Sequence, residues 1–534
     1  MFKFIRKSSY NKSNNRKKVK QNIPVSKALK DNRGYIENTF TKCTDVIIRE
    51  FKITNNPKYS AMLVYIKNML AQETIDESII KKLTGSSRAY AYNPGSMEYS
   101  QNLLGISYNY ILKNIVEAVD SILYGNAVLF IDGISNALVI NYKNPPERNI
   151  EEPATETVVR GPREGFTESI SLNACLLRKR IKDTNLKIES FIIGRRTKTE
   201  IALTYVLGIV NNKIVMEVKK RLNKIDTDSI LSANHLEEYI EDSPLSIFPT
   251  IFRTEKPDVL VSKLLEGRVG IIIDGNPEVL IIPSIFIEFL QSPEDYSTRY
   301  IAATLNRWLR YISFFLTLIM PGFYVALVGT ERELIPSALM ATIIKARTGV
   351  PFPVLWECFI MLFVYEVLRE AGVRMPRAVG QAISVVGALV LGEAAVEAGL
   401  VSTPMVIVIA LTGITSFTIP YPEMNSAVMF PRVVLLFLGG GFGMLGLMSG
   451  LLLLFFNLIS VRSFGVPYLS PLAPLSTNQL SDIAIRSPLW AMFKRPYIYT
   501  WQHSLRKKPK SQIKTIRKEH KESENKKVKR SKRL

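Results

Sequence analysis

Three glutamates lie within or beside strongly apolar stretches of the chain, where a carboxylate can bind or conduct a cation. Glu393 and Glu397 are four residues apart, so they share one face of a predicted helix. Glu366 lies at the inner end of an earlier apolar stretch. Because an ionised carboxylate is costly inside a membrane, such a residue usually faces a cavity or a partner. The alternative is that all three lie near an interface, solvated or paired, with Glu366 bonded to Arg369.

A proline–glycine pair, Pro321-Gly322, lies in the middle of the apolar run 311–329. A proline inside a helix frees backbone groups, which inside a membrane must find partners in protein or in a water-lined cavity. Together with the glutamates and two later glycines, this pair makes up the set of candidate pore or gating residues: Pro321, Gly322, Glu366, Glu393, Glu397, Gly441 and Gly443.

The later glycines belong to the apolar segment GGGFGMLGLMSG. Gly441, Gly443 and Gly446 match the dinucleotide-binding spacing G-x-G-x-x-G, but no strand precedes them, so we do not expect a nucleotide there. The pairs Gly439/Gly443 and Gly446/Gly450 have the small-x-x-x-small spacing that lets two helices approach closely. Tight helix packing or a break in the helix is therefore the better interpretation.

Other catalytic and metal-binding patterns are missing from the sequence. The three cysteines and three histidines show no spacing suited to a disulfide framework or a structural zinc ion. No phosphate-binding Walker loop and no catalytic serine motif is found. We therefore expect no metal, no cofactor and no enzymatic activity.

Long apolar runs dominate residues 299–461. The runs 311–329, 398–422 and 433–461 contain no charged residue, and a membrane-spanning helix needs roughly 20 apolar residues. Two weaker candidates, 350–365 and 378–392, lie between them. These patterns predict an α-helical polytopic membrane domain.

The basic residues beside these runs predict which side faces the cytoplasm. Arginines flank the first run and separate the two weaker candidates, whereas 399–404 is uncharged and fits the outer face. Both ends of the chain also favour the cytoplasm, yet five simple crossings would place them on opposite sides. One apolar segment must therefore be re-entrant or broken, or the stretch ELIPSALMATIIKA must enter the bilayer.

The region before the apolar runs mixes helix and strand patterns. Two similar hydrophobic stretches, 127–140 and 269–282, contain Asp132-Gly133 and Asp274-Gly275, and Asp-Gly is a strong hairpin signal. They suggest two related α/β lobes, each with a sheet under helices, separated within 144–165. The alternative is that Ile-Asp-Gly hairpins are common and the lobes are unrelated.

The net charge of +22 is concentrated at the two ends of the chain. Residues 1–33 carry +10 (11 Lys and Arg, one Asp) and residues 461–534 carry +14 (18 minus four), which leaves about −2 for the rest. Anionic lipid or solvent suits such tails better than specific nucleic acid, because no aromatic residues accompany the terminal basic run. The predicted organisation is a basic arm at 1–33, α/β lobes at 34–150 and 160–298, a transmembrane helical domain at 299–461 and a cytoplasmic segment with a basic tail at 462–534.

The region from about 159 to 473 resembles the A subunit of the GerA-type spore germination receptors. The blocks that show this resemblance are VRGPREGFTESISLNACLLRKRIKDTNLKIE, GRRTKTEIALTYVLGIVN, TEKPDVLVSKLLEGRVGIIIDGNPEVLIIP, PGFYVAL, REAGVRMPRAVGQAISVVGALVLGEAAVEAGLVS and SFGVPYLSPLAP. Residues 34–158 match more loosely.

The resemblance implies a role in the inner membrane of the dormant spore. Family members work with a transporter-like B subunit and a C-subunit lipoprotein, have a two-lobed α/β cytoplasmic domain, and are proposed to oligomerise into a nutrient-gated ion channel that releases monovalent cations. A close relative, the stage V sporulation AF-type protein, shares these blocks and is associated with amplifying germination. A secondary transporter and a membrane scaffold are the other open alternatives.

Overall fold

The structure is a computed structural model. It describes residues 22–52, 60–70, 80–81, 84, 109–141, 152–153, 156–158, 160–374, 392–476, 482–496, 499–500 and 505–506. The chain forms two compact units, one of Met1–Ile150 with Ser169–Ser190 and one of Glu151–Glu168 with Phe191–Leu534. The sequence-based domain boundaries remain predictions, and these units differ from them in that Ser169–Ser190 belongs to the first unit.

The first unit contains lobe 1, a five-stranded antiparallel sheet packed against helices. The strand order is β1-β2-β4-β5-β3. Its elements are α1 (Leu29–Thr39), β1 (Val46–Lys52), β2 (Ser60–Ile66), β3 (Asn109–Leu112), α2 (Ile115–Leu123), β4 (Ala127–Ile131), β5 (Ala137–Ile140) and α3 (Ile170–Arg180). Each helix contributes a fully buried residue to the core on this sheet, namely Ile36, Ile122 and Cys175, because apolar side chains recur on one helix face.

Lobe 2 belongs to the second unit except for the first part of its strand β6, and its sheet has the same strand order, β6-β7-β9-β10-β8. Its elements are β6 (Leu186–Ile193), β7 (Thr199–Val206), α4 (Asn212–Leu222), α5 (Ala233–Ile240), β8 (Phe252–Thr254), α6 (Pro257–Glu266), β9 (Val269–Ile273) and β10 (Val279–Ile282). Within each lobe the third strand in sequence pairs with the fifth. The shared order agrees with the prediction that the two lobes are related.

The two Asp-Gly pairs begin the links between β4 and β5 and between β9 and β10, as predicted. These strands pair antiparallel. Gly133 and Gly275 have φ angles of +82° and +81°, a left-handed conformation that favours glycine. Neither Asp132 nor Asp274 has a positive φ angle. Only the glycine of each pair therefore adopts the positive φ that the hairpin signal predicted.

The rest of the second unit is mainly helical. Its helices are α7 (Tyr300–Gly329), α8 (Ser337–Arg347), α9 (Val354–Arg374), α10 (Gly392–Glu397), α11 (Thr403–Ser416) and α12 (Pro422–Ser460). Within the described residues, α7 and α12 are long and apolar enough to cross a membrane, and α11 is a shorter apolar helix. The predicted run 378–392 lies almost wholly outside the described residues.

Helix α12 reverses direction at Gly443, which has non-helical angles of φ 59° and ψ −146°. A Cβ atom on Gly450 would lie 2.8 Å from the Leu435 side chain and 2.7 Å from that of Leu438. In one straight helix, residues 438 and 450 would be about 18 Å apart at 1.5 Å per residue. The arms 422–442 and 444–460 therefore form an antiparallel hairpin.

The helices of the second unit alternate between two ends, one beside lobe 2 and one distal to it. Thr330, just after α7, approaches Gly443 at the hairpin tip, so both lie at the distal end. Glu357 near the start of α9 bonds Ser402 just before α11 at the same end. Tyr421, just before α12, packs on Phe252 of lobe 2.

Candidate functional site

The carboxylate of Glu366 is paired with two arginines. It forms an ion pair with Arg369 on its own helix, at 2.9 Å, and a second with Arg432 of α12. Pairing with Arg369 is the alternative that the sequence left open, and Arg432 was not foreseen. These contacts join α9 to the first arm of α12, and a role for Glu366 in conduction stays a prediction.

Glu393 and Glu397 lie on the short helix α10, and both are exposed. Within the part of the chain that the structure describes, neither forms a hydrogen bond or an ion pair. They are therefore available to water or to another subunit, and their role in a pore stays a prediction.

Glu357 is the most completely buried glutamate of the helical part, and sequence reasoning did not select it. Its carboxylate accepts hydrogen bonds from the Ser402 backbone N–H (2.7 Å), the Ser402 hydroxyl (2.6 Å) and Arg347 Nη1 (2.8 Å). These bonds fasten α8, α9 and the start of α11 together at the distal end. The sequence did contain a signal for Glu357, because it is a charged residue inside the apolar run 350–365, and such a residue usually has a partner.

The candidate glycines differ in how closely other groups approach them. Gly322, next to the buried Pro321, would place a Cβ 2.9 Å from the Leu435 carbonyl oxygen, and Gly439 would place one 2.7 Å from the Gly322 oxygen. The backbones of α7 and α12 therefore touch, as small residues allow. Gly441 has open space around it.

A buried ionic cluster joins lobe 2 to the start of α7. Asp295, in the turn before α7, accepts a hydrogen bond from Arg307 Nε at 2.8 Å and is also bonded by Arg310. Arg307 is fully buried and Asp295 nearly so. From the sequence, Arg307 and Arg310 indicated orientation and a direct join between the lobes and the first apolar run, but their acidic partner cannot be identified from spacing alone.

A segment after the helices completes this cluster. We call residues 482–496, 499–500 and 505–506 the strap. Asp482 of the strap accepts hydrogen bonds from Arg307 and, at 2.7 Å, from the Tyr296 hydroxyl. Trp308 Nε1 donates to the Ala484 carbonyl at 2.7 Å. The strap is thus bonded along the first turns of α7.

A second buried pair, Arg268–Glu288, lies inside lobe 2 next to this junction. Glu288 also accepts a hydrogen bond from Lys263 Nζ at 2.7 Å. Tyr499 of the strap packs on Arg268, whose Cζ atom lies 4.3 Å from the centroid of the Tyr499 ring. Burial alone would raise the pKa of Glu288, but Arg268 and Lys263 outweigh it and hold that pKa below its ordinary value.

The start of α12 is bound to lobe 2 through an aromatic contact and a shared arginine. Tyr421 and Phe252 have ring centroids 4.7 Å apart. Arg253 of lobe 2 pairs with Glu237 at 2.6 Å and with Glu423 of α12 at 3.5 Å. Burial raises the pKa of Glu237 to about 7, although Arg253 opposes the shift.

The chain returns to lobe 2 directly after α12. The Ser463 hydroxyl donates to the Thr250 carbonyl at 2.7 Å, and the Phe286 N–H donates to the Tyr468 carbonyl at 2.9 Å. Lobe 2 therefore contacts the start of α7, both ends of α12 and the strap. We call this set of contacts the junction; it can transmit a change in lobe 2 to the helices.

Clustered His, Cys, Asp and Glu side chains are the groups that could hold a metal ion. Among the described residues no group of three or more His, Cys, Asp or Glu side chains is placed to hold a metal ion. The class of fold is thus two α/β lobes of equal sheet topology, one of them joined by buried ion pairs to an apolar helical bundle.

Comparison with known proteins identifies the family. The model of the Bacillus/Clostridium GerA spore germination protein matches residues 34–498. The chain belongs to the GerA family, which confirms the prediction from the sequence. It is a spore germination protein similar to the A subunits of germinant receptors.

Individual relatives cover most of the chain. Spore germination protein KA of Bacillus subtilis (strain 168) is 42% identical over 89% of this chain and 87% of its own length. The "Uncharacterized membrane protein YfkQ" of the same strain is 41% identical over 90% and 93%. Spore germination protein GerLA of Bacillus cereus is 38% identical over 73% and 80%.

One solved structure is also similar to part of the chain. It is the N-terminal domain of the A subunit of the Bacillus megaterium spore germinant receptor GerK3, with 33% identity over 49% of this chain and 98% of that chain and a TM-score of 0.40.

Proposed function

We propose that this protein is the A subunit of a nutrient receptor in the spore inner membrane and forms, as an oligomer, a nutrient-gated channel for monovalent cations. Its partners in this proposal are a transporter-like B subunit, a C-subunit lipoprotein and further copies of the chain. Its role is sensing and conduction rather than catalysis. The single observation that carries the proposal is the junction, because a gated pore needs a physical link between the sensing part and the helices.

Exposed apolar side chains support insertion of the helices into a membrane. Phe442, Leu445 and Phe456 of α12 are 71%, 81% and 63% exposed. Side chains of this size on one long helix would be unfavourable in water and are favourable in lipid. The name of the relative YfkQ, a membrane protein, is consistent with this environment.

The hairpin at Gly443 supports an even number of crossings. Each arm has roughly the 20 residues that a crossing needs. With α7, α9, the predicted run 378–392 and α11, the two arms give six crossings and return the chain to the side of lobe 2. This arrangement removes the conflict in the sequence, where five crossings separated two ends that both favour the cytoplasm.

The exposed glutamates of α10 support an ion path formed between subunits. Carboxylates without a partner among the described residues are costly near lipid, and an oligomer would supply water or neighbouring groups. In this proposal Glu393 and Glu397 attract cations, whereas Glu366 and Glu357 hold the helices together.

The AF-type paralogue that amplifies germination is the second candidate function. Spore germination protein KA and YfkQ match this chain almost equally, and neither name assigns an amplifying role. A secondary transporter and a scaffold are less favoured, because the hairpin is one local reversal and not an inverted repeat.

Spores that lack this chain test the proposal. A receptor A subunit predicts that nutrient-triggered release of monovalent cations is lost and returns with the wild-type gene. Slower but complete release would favour the amplifying role. Unchanged release would contradict both.

The Glu393→Gln variant tests the ion path in the same spores. We expect altered ion selectivity or germination rate, with Glu333→Gln as the control because Glu333 is exposed in the distal link between α7 and α8. Unchanged ion release and an unchanged nutrient response would remove Glu393 from the permeation path.

A further inference from the structure

The strap lies beside the point where α7 would enter the bilayer. Besides the bond from Trp308 to Ala484, the Tyr311 hydroxyl donates to the Ile483 carbonyl at 2.9 Å, and the Arg486 N–H donates to Thr304 Oγ1 at 3.2 Å. The uncharged run of α7 begins at Tyr311. These bonds therefore hold the strap at the depth of the lipid headgroups, if α7 spans the membrane as proposed.

Three large apolar side chains of the strap are exposed. Ile485, Leu489 and Trp490 are each slightly more than half exposed, and so is neighbouring Trp308. Tryptophan at the end of a spanning helix is typical of the membrane interface, where its ring is buried and its N–H stays hydrogen-bonded. The strap thus continues the apolar surface of α7.

A cavity of about 500 Å³ lies between α6 and the strap. Its wall includes the apolar side chains of Val259 and Leu489 and the basic side chains of Lys263, Arg495 and Arg506. Three acidic side chains also line it: Glu288 pairs with Lys263, Glu266 pairs with Arg506, and Asp258 lies in the wall beside them. The cavity therefore offers both basic groups and an apolar wall.

Two guanidinium groups lie close together at this cavity. Arg495 Nε donates to the Leu265 carbonyl at 2.7 Å, which fixes the strap to the end of α6. Burial, followed by the nearby charge of Arg506, lowers the pKa of Arg495 below its ordinary value. Glu266 pairs with Arg506 and also offsets part of this repulsion at Arg495, so a phosphodiester bound by the two side chains would share or replace that carboxylate.

We propose that the strap and this cavity bind an anionic phospholipid of the leaflet next to lobe 2. Arg495 and Arg506 bind its phosphate, while Ile485, Leu489 and Trp490 enter the boundary between headgroups and acyl chains. This inference rests on the proposed function, because it requires the helices to lie in a membrane.

Fluorescence quenching in vesicles tests the depth of the strap. The full chain is reconstituted with lipids brominated near the headgroup, using one variant that keeps only Trp490 and one that keeps only Trp356, with the other tryptophans changed to Phe. Trp356 lies on α9 and is about half exposed. We expect both variants to be quenched several-fold relative to unbrominated vesicles.

The two variants separate failure of the inference from failure of the proposed function. Quenching of Trp356 without quenching of Trp490 would overturn strap binding and leave membrane insertion intact. Absence of quenching in both would contradict insertion, and the lipid site with it.

Lipid selectivity tests the phosphate partners. In vesicles that mix phosphatidylcholine and phosphatidylglycerol, brominated phosphatidylglycerol should quench Trp490 about twofold more than brominated phosphatidylcholine does. Arg495→Gln and Arg506→Gln should each abolish that preference. Lys494→Gln, which removes the same charge from an exposed strap residue outside the cavity wall, should retain it.

Two results would overturn the lipid assignment. Equal quenching by both lipids in the wild-type chain would exclude an anionic headgroup. Loss of the preference when inorganic phosphate is added at constant ionic strength would assign the cavity to free phosphate instead.

Discussion

The two lobes share one sheet topology but use their buried arginines in different places. In lobe 1, Arg178 of α3 forms a two-bonded ion pair with Asp45, at 2.6 and 3.1 Å, and both side chains are buried inside that unit. In lobe 2, Arg268 pairs with Glu288 beside the exit to α7, and Tyr499 of the strap packs on it. The same sheet topology thus has its buried arginine paired inside the lobe in one copy and beside the exit to the helices in the other.

Loss of either arginine should cause the largest effect and should separate these two roles. Arg178→Met leaves the buried Asp45 without its ion partner, so we expect it to lower the free energy of unfolding by about 3–5 kcal/mol. Arg268→Met leaves the buried Glu288 with Lys263 as its remaining partner, so we expect a smaller loss there. Only Arg268→Met should also release the strap, because only Arg268 packs on Tyr499. Hydrogen exchange of the strap backbone in the full chain, beside chemical denaturation, measures both effects.

Equal changes in hydrogen exchange of the strap after both substitutions would contradict the different roles of the two arginines. Faster exchange in residues 482–496 of the Arg178→Met protein would show that lobe 1 also acts on the strap. Unchanged exchange in the Arg268→Met protein would show that Tyr499 holds the strap without Arg268.

Local patterns predicted the paired strands of the two sheets. The hydrophobic stretches around Gly133 and Gly275 predicted these pairs, because a turn glycine and a short continuous apolar run are local properties of the chain. The presence of helices from 299 to 461 followed from composition. These features need no knowledge of distant residues.

The junction and the hairpin could not be predicted, because they depend on residues far apart in sequence. Arg307 meets Asp482, and Glu366 meets Arg432, only after the helices have packed. The reversal at Gly443 was weighed only as a possible break, since a glycine-rich apolar run is equally compatible with a straight helix. Glu393 and Glu397 were correctly placed on one helix, but their exposure depends on the fold.

The raised pKa of Glu237 predicts a pH effect that belongs to lobe 2 alone. Its pKa of about 7 in the folded protein lies above the ordinary 4.5, so its contribution to stability is fully present below about pH 4.5 and is lost as the pH rises through 7. Arg253, Glu241 and Glu423 face it and set the size of the effect. We expect a loss of about 2 kcal/mol between about pH 5 and pH 8.

Denaturation of the Glu237→Gln protein across this range tests the assignment. The variant should lose the part of the pH dependence that Glu237 contributes, whereas Glu238→Gln, an exposed neighbour on the same helix, should keep the full dependence. Burial also raises the pKa of Glu156 to about 7, so we expect a comparable part to remain in Glu237→Gln. An unaltered pH profile in Glu237→Gln would mean that Arg253 keeps Glu237 ionised throughout, and the pH effect would then have to come from another group.

The smallest predicted effect tests whether the Asp-Gly hairpins of the two lobes have the same backbone strain. Gly133→Ala and Gly275→Ala should each cost about 1–2 kcal/mol, because both glycines have φ near +80° and no other group within 4 Å of the Cβ position, so backbone strain is the only cost. Gly34→Ala in α1, also with open space, should be neutral or stabilising by up to about 1 kcal/mol. Equal losses in the free energy of unfolding, measured by chemical denaturation, would show that the two hairpins are energetically matched. A much larger loss for Gly275→Ala would mean that strain in this hairpin also weakens the junction. The difference between the lobes would then extend beyond their buried arginines.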